Sequence, residues 1–259
     1  MPDLSITFLG TGTSMGVPVM GCDCAVCHSA DPRDNRTRSS VYIRTPECSW
    51  VIDTGTDFRT QGLREKITAV DAVVFTHSHS DHIMGFDDMR PFCHPGKLLP
   101  IYAGEETMRD LKRVFCFAFE ADNNVPGYVH PEPHIIDGPF KLGATELTPL
   151  PVKHGRARVN GYLMSRGGEK LAAYLSDCKE VPDAVMEQII GVKALIVDAL
   201  RHNPHPTHMN IEEALLLAAR ARPGATWFTH ICHDLPHEET GKNLPQGVKL
   251  AYDGLKITV

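Results

Sequence analysis

No stretch of this sequence approaches the roughly 18 apolar residues that a membrane-spanning helix needs, so no such span is expected. The start, Met1-Pro2-Asp3-Leu4-Ser5-Ile6, has neither a basic segment nor a long apolar run, and no targeting signal is read there. Basic residues are not in excess: 26 Lys and Arg against 32 Asp and Glu leave a net charge of -6. Such a chain is a poor general binder of phosphate backbones, although a local basic patch is compatible with it. No internal repeat, low-complexity tract or linker interrupts the sequence, so one domain is expected over residues 1–259. Hydrophobic residues at 42% and charged residues at 22% exclude a disordered chain. A folded chain of 28.6 kDa buries roughly 70–75% of its extended surface, enough for a core without staples. A cytoplasmic setting is the simplest reading, and there the 8 cysteines favour metal ligation or inert thiols over disulfides. What the sequence has in abundance is histidine, 14 in all, and their placement carries the information.

Strand-like and helix-like stretches alternate to the end. Ser5 to Leu9 reads as a strand entering the turn Gly10-Thr11-Gly12-Thr13. Val41 to Arg44 and Trp50 to Ile52 read as a hairpin around Thr45-Pro46-Glu47. Short apolar runs at Ala72 to Phe75, Leu99 to Ala103, Leu147 to Val152, Gly161 to Ser165, Leu171 to Leu175, Ala194 to Val197 and Thr226 to Thr229 read as buried strands. Helices are predicted over Glu105 to Val114, Asp183 to Ile190 and Ile211 to Arg222, the last capped by Asn210 and stopped by Pro223-Gly224. This alternation implies a layered α/β domain, and hairpin-like runs at both ends fit two sheets better than one parallel sheet. Cys116 to His134, where Asn123, Asn124, Pro126, Gly127, Pro131 and Pro133 cluster, reads as a long surface excursion: a lid, an oligomer contact or an ordinary loop. The alternation Phe115, Phe117, Phe119 suits a buried strand as well as an interface.

The central signal is Thr76-His77-Ser78-His79-Ser80-Asp81-His82, directly after an apolar strand. On an extended chain His77 and His79 point to the same side and can grip one ion. A turn then lets Asp81 and His82 face a neighbouring ion, and imidazole with carboxylate suits Zn, Mn or Fe. Unpartnered histidines buried for packing alone would cost desolvation, which argues against a purely structural role. A dinuclear site wants more ligands, and further ligand-type residues stand at later strand ends: His154, Asp177 and His230. The second signal is Gly21-Cys22-Asp23-Cys24-Ala25-Val26-Cys27, three thiols that form a metal grip rather than a disulfide frame. Tetrahedral zinc needs a fourth ligand, and His28, Cys232 and His233 are the candidates. His28 is uncomfortably close in sequence, and His233, on the loop after His230, is preferred. A third signal is His202-Asn203-Pro204-His205-Pro206-Thr207-His208, just before the helix at Ile211.

His-x-His-x-Asp-His followed by a separate His, Asp and His resembles the metallo-β-lactamase superfamily. The resemblance runs nearly end to end and implies an αββα four-layer sandwich. It implies that His77, His79 and His154 hold one metal, that Asp81, His82 and His230 hold a second, and that Asp177 bridges them. Asp53, in Val51-Ile52-Asp53-Thr54-Gly55, matches an aspartate standing behind the family's metal loop. The Cys cluster after Gly10-Thr11-Gly12, with Gly16-Val17-Pro18, Leu175-Ser176-Asp177, Thr229-His230-Ile231 and Asp253-Gly254, narrows this to the PhnP family. That family comprises cyclic phosphodiesterases of the carbon–phosphorus lyase pathway. The narrower resemblance implies a structural zinc on Cys22, Cys24, Cys27 and His233, and His208 as general acid with His205 as its understudy. Dimeric relatives imply a homodimer.

The expected activity is therefore metal-dependent hydrolysis of a small phosphodiester, a cyclic ribose phosphate or nucleotide-type substrate. Two divalent cations, Mn or Zn, would lower the pKa of a shared water toward neutrality for attack on phosphorus. Protonated His208 would supply the leaving alkoxide with its proton, worth roughly 10²–10⁴-fold. Asp81 is counted with His208 as catalytic, and no substrate-binding residue is assigned. If His233 is a zinc ligand, the Cys loop is tied to the loop bearing His230 and stiffens it. The main alternative is a tRNA 3′-processing nuclease, against which the charge and the missing basic arm stand. A glyoxalase-II-like thioesterase would share the metal ligands but carry more chain after His230, and a β-lactamase would be exported. A non-catalytic metal-binding module is disfavoured by the full ligand set. Neither a membrane nor a nucleic acid is expected as partner.

Overall fold

A computed structural model of the chain describes residues 4–93, 98–120, 125 and 127–259. The first six strands, β1 (Ser5–Gly10), β2 (Ser40–Arg44), β3 (Ser49–Ile52), β4 (Ala72–Val74), β5 (Leu99–Ala103) and β6 (Pro131–Ile135), form one sheet in sequence order. The next seven, β7 (Phe140–Leu142), β8 (Thr145–His154), β9 (Ala157–Arg166), β10 (Glu169–Leu175), β11 (Ala194–Asp198), β12 (Ala225–Thr229) and β13 (Val248–Leu250), form the second. The last, β14 (Lys256–Thr258), returns to pair antiparallel with β1. Each sheet is antiparallel at its hairpin end, β1–β2–β3 and β7–β8–β9–β10, and parallel beyond.

Three apolar layers account for the stacking. Between the sheets lie Ile6, Phe8, Trp50, Val74, Tyr162, Met164, Tyr174 and Ile196. Outside the first sheet, Val51, Val73 and Ile101 meet α1 (Phe58–Arg64), α2 (Ser80–Ile83) and α3 (Glu105–Val114) through Phe58, Ile83, Met108 and Leu111. Outside the second, Leu195, Val197 and Phe228 meet α4 (Asp183–Ile189) and α5 (Ile211–Ala221) through Val185, Met186, Ala214 and Leu217. The architecture is thus helix, sheet, sheet, helix, the αββα sandwich expected. It explains why β11 reads as an unbroken apolar run: Ile196 faces the other sheet while Leu195 and Val197 face helices, so both pleat faces are covered. A short α6 (His237–Asn243) packs by β13.

Helix α5 starts as its sequence dictates. Asn210 accepts from the Glu213 N–H at 2.9 Å while the Glu213 carboxylate accepts from the Asn210 N–H at 3.0 Å, a reciprocal box worth about 1 kcal/mol. Helices α3 and α4 fall where predicted, to within a residue. Between Cys116 and His134 the excursion is corrected where it is described; Asn123, Asn124 and Pro126 lie outside the described residues. A 3-10 turn at Cys116–Ala118 follows α3, and Val129 is fully buried. Pro131 and Pro133 then lie in β6, parallel to β5 at the sheet edge, the position in a sheet that tolerates missing N–H donors. Phe115 is buried, with Phe117 and Phe119 packed against the same core, so their alternation is neither a strand nor an exposed face.

Candidate metal centre

The ligand-type residues gather because the strands that precede them end at one rim. Asp53 follows β3, His77 and His79 follow β4, Asp177 follows β10, Asp198 ends β11 and His230 follows β12. These strands run parallel to a neighbour in their sheets, and ligands collect beyond the carboxyl ends of such strands. His154 ends β8. One expectation needs correction: β4 stops at Val74, so His77 and His79 sit in the following loop rather than along a strand. They still converge, with His77 Nε2 and His79 Nδ1 2.8 Å apart.

Donor atoms of His77, His79 and His154 lie within 4.8 Å of one another, as do those of Asp81, His82, Asp177 and His230. His82 Nε2 stands 3.2 Å from Asp177 Oδ1 and 3.3 Å from Asp81 Oδ2, and His230 Nε2 stands 3.4 Å from Asp177 Oδ2. Yet His82 Nε2, Asp177 Oδ1 and His230 Nε2 are buried without a hydrogen-bond partner among the described residues. Unsatisfied polar atoms so buried cost free energy, and several aimed at one another suit a cation. Imidazole and carboxylate donors fit a divalent transition metal.

Electrostatics of the protein alone point the same way. Burial would lower the His82 imidazole, but Asp177 and Asp53 carry it well above its usual value. Burial would raise Asp177, but His230 and His82 hold it well below the carboxylate range. His77 and His230 are pushed down chiefly by burial, which favours the neutral, ligating ring.

Behind the donors stands a layer that fixes them. Asp53, fully buried, accepts from Thr76 N at 2.8 Å, Thr76 Oγ1 at 2.7 Å and His82 Nδ1 at 2.7 Å. His154 Nδ1 donates to Thr207 O at 2.9 Å. With Nδ1 engaged, each ring turns Nε2 toward the cluster. Both Asp53 (φ 64°) and His230 (φ 56°) hold the left-handed backbone that non-glycine residues avoid, at a cost of about 1–3 kcal/mol each. Close backbone approach completes the frame: a Cβ on Gly55 would lie 2.1 Å from Asp81 O.

Sequence reasoning missed Asp198. It is fully buried, accepts from His208 Nδ1 at 2.6 Å and Cys178 N at 3.0 Å, and lies 3.8 Å from His230 Nδ1. His208 stacks on His230, ring centroids 4.5 Å apart at 12°. Asp198 therefore orients His208 and stands behind His230. Its signal was available: an Asp ending a fully apolar run, like Asp53. His205 lies behind His208, centroids 5.1 Å apart, and does not line the cleft.

The Cys cluster also closes. His233 Nδ1 stands 3.2, 3.4 and 3.5 Å from the sulfurs of Cys22, Cys24 and Cys27. Ligands at tetrahedral zinc distances stand about 3.5 Å apart, so this set fits that ion. The Cys27 N–H on its sulfur, outweighing burial, brings Cys24 down to about 6, toward the thiolate a metal takes. The other fourth-ligand candidates stay out: His28 is exposed beside Asp23, and buried Cys232 accepts from Asp234 N. A second missed residue is Arg36, wholly buried, which donates to Cys232 O at 2.7 Å, Leu235 O at 2.6 Å and Asp34 at 2.7 Å. It clamps the loop between His230 and α6 from the side of the Cys loop.

A family model described as a β-lactamase superfamily domain matches residues 50–231. The crystal structure of a diphosphatase from the PhnP family superposes with a TM-score of 0.92 at 45% identity, covering 99% of this chain and 97% of that one. The chain belongs to the PhnP family of the metallo-β-lactamase superfamily. An octanoyltransferase of Porphyromonas gingivalis is 34% identical over 261 residues, which are 97% of this chain and 51% of that protein. The PhnP-type chain thus spans about half the length of that relative. Zinc-bound PqqB from Methylobacterium extorquens shares the fold, with a TM-score of 0.80 at 21% identity over 98% of this chain and all of that one. No helix among the described residues is long and apolar enough to cross a membrane.

Proposed function

We propose that this protein is a metal-dependent hydrolase that cleaves a small phosphodiester. The observation that carries the reading is the joint cleft. His79, Asp81, His154, Asp177 and His230 line a cavity of about 380 Å³, with His208 in its wall. A cleft of that size is in the range that suits a small molecule. The net charge of -6 supports the same choice over a tRNA substrate.

We assign His77, His79 and His154 to one divalent cation and Asp81, His82 and His230 to a second, with Asp177 between them. Bound there, two such ions, Mn or Zn, would acidify a water and offset charge on the phosphoryl oxygens. The chain's own part is positioning and proton transfer. Asp53 holds His82 in one tautomer, and Thr207 O does the same for His154. Asp198 keeps the His208 proton on Nδ1 in the neutral ring, so Nε2 faces the cleft and, when protonated, donates to the leaving oxygen. Burial lowers the His208 pKa, which makes the ring a readier proton donor once charged. Cys22, Cys24, Cys27 and His233 are assigned a separate structural zinc. No cysteine is in a disulfide among the described residues, which suits the cytoplasmic setting proposed here.

The test is hydrolysis of bis-p-nitrophenyl phosphate by protein loaded with Mn or Zn, beside the monoester and a thioester. Diester turnover that Asp177→Ala abolishes is the expected result. Thioester turnover without diester turnover overturns the reading.

A further inference from the structure

Arg156 is a charge with no internal use. It stands exposed in the two-residue turn between β8 and β9, where His154 pairs with Ala157. Gly155 takes the positive φ (56°) that such a turn asks of its first central residue. The turn is also pressed against its neighbour: a Cβ on Gly155 would lie 2.9 Å from Thr207 Cγ2, next to His208. Arg156 is therefore carried on a short rigid support, and it lines the same cleft as His208.

Five cations on nearby segments are engaged. Arg38 holds Asp57 and Ser14 O, Arg158 faces Glu106, Lys153 pairs with Glu180, and Lys179 pairs with Glu213. Arg201 donates to Asn203 O and Pro204 O. Among the described residues Arg156 has no hydrogen bond or ion pair, and it is the only one of their arginines and lysines that lines the cleft. A guanidinium left free at a cleft wall suits the planar two-oxygen face of a phosphate or carboxylate.

We propose that Arg156 is a specificity residue that binds a second phosphate on the leaving-group side, so that the preferred substrate is a diphosphate diester. The proposal rests on the phosphodiesterase reading above and narrows its substrate class. The scissile phosphate lies over the metal ligands. His208 and the turn bearing Arg156 share one wall, so the group that departs past His208 meets Arg156. In the cleavage, the oxygen of water bonds to one phosphorus. The bridging P–O bond breaks with its electron pair left on the departing phosphate. Two phosphate monoesters result and take up the two hydrogens of the water. No redox partner is needed.

The test compares wild type, Arg156→Ala and Arg156→Lys, each loaded with Mn, on diadenosine diphosphate and bis-p-nitrophenyl phosphate. Only the first substrate carries a phosphate on its leaving group. The expected result is a fall of at least tenfold in the ratio of kcat/KM between the two in Arg156→Ala, partly restored in Arg156→Lys. An unchanged ratio overturns the proposal. Calorimetry provides a readout without turnover: α,β-methylene-ADP is expected to bind wild type at least tenfold more tightly than AMP. Arg156→Ala is expected to lose that margin, and a margin that persists overturns the proposal. A wild type inert on both substrates overturns the phosphodiesterase reading instead, while the binding margin still decides the role of Arg156.

Discussion

Replacing Asp198 with Asn tests whether His208 works as a proton donor. The carboxylate is wholly buried and takes two N–H donors on one oxygen, Cys178 N at 3.0 Å and His208 Nδ1 at 2.6 Å. The asparagine oxygen can keep both bonds, so the fold is retained. Burial pushes the Asp198 carboxyl well up and His230 works against it, so the negative charge is held there by its imidazole partners. Asparagine removes that charge behind His208, and the new NH2 turns toward His230 Nδ1, 3.8 Å from the present oxygen. A hydrogen bond to a charged group is worth roughly 1.5–3 kcal/mol. At about 1.4 kcal/mol per decade that is about 10- to 150-fold in rate. The loss should depend on the leaving group. Bis-p-nitrophenyl phosphate releases a weakly basic phenolate that needs little help, whereas 2′,3′-cyclic AMP releases an alkoxide that needs a proton. Asp198→Asn should therefore cost about 10- to 150-fold on the cyclic nucleotide and no more than a few-fold on the aryl diester. His208→Ala should show the same pattern, larger. Equal losses on both substrates, with reduced metal content, would refute the reasoning and assign Asp198 to His230 alone.

Other perturbations reach the frame around the site. Cys24→Ser replaces a soft thiolate in the Cys22, Cys24, Cys27, His233 set. Elemental analysis should find one zinc equivalent fewer, and less metal bound near His230 because Cys232–Leu235 then loses its tether to the Cys loop; a full metal load would count against the tether. Gly55→Ala would drive a methyl to within 2.1 Å of Asp81 O. The displaced loop should cost roughly 1–3 kcal/mol by thermal melting, with weaker metal binding by titration. His237 is pushed down to about 4, first by burial and then by Arg33 and Arg36. An unfolded chain takes up that proton near pH 6.5 and the folded one does not, so stability should fall as pH drops from about 6.5 toward 4. His237→Gln should flatten this slope by about 2 kcal/mol after allowance for screening, read from denaturant midpoints across that range.

Much of the molecule was legible in its residues because two local rules suffice. Apolar runs such as Ala194 to Val197 are strands buried on both faces, and Asn210 with Glu213 starts a helix whatever surrounds it. The metal-type residues stood out because histidines and carboxylates following apolar strands have no packing reason to be there, and the fold brings His77, His79, Asp81, His82, His154, Asp177 and His230 together. The preference for His233 over His28 likewise followed from chain geometry, since adjacent residues cannot easily fill opposite corners of a tetrahedron.

Tertiary structure alone decided the rest. Edge strand β6, with prolines at 131 and 133, looks like a loop because proline reads as a breaker, and only the neighbour β5 makes that edge available. Asp198, Arg36 and Arg156 carry no motif. Each is defined by what lies across space: the His208 ring, the carbonyls of Cys232 and Leu235, and the turn pressed on Thr207. The left-handed backbones of Asp53 and His230 are likewise invisible in sequence, since each is a local cost offset by contacts that distant strands provide. Local patterning determines which residues enter strands and which chemistry they bring. The order in which the sheets stack determines which of them meet.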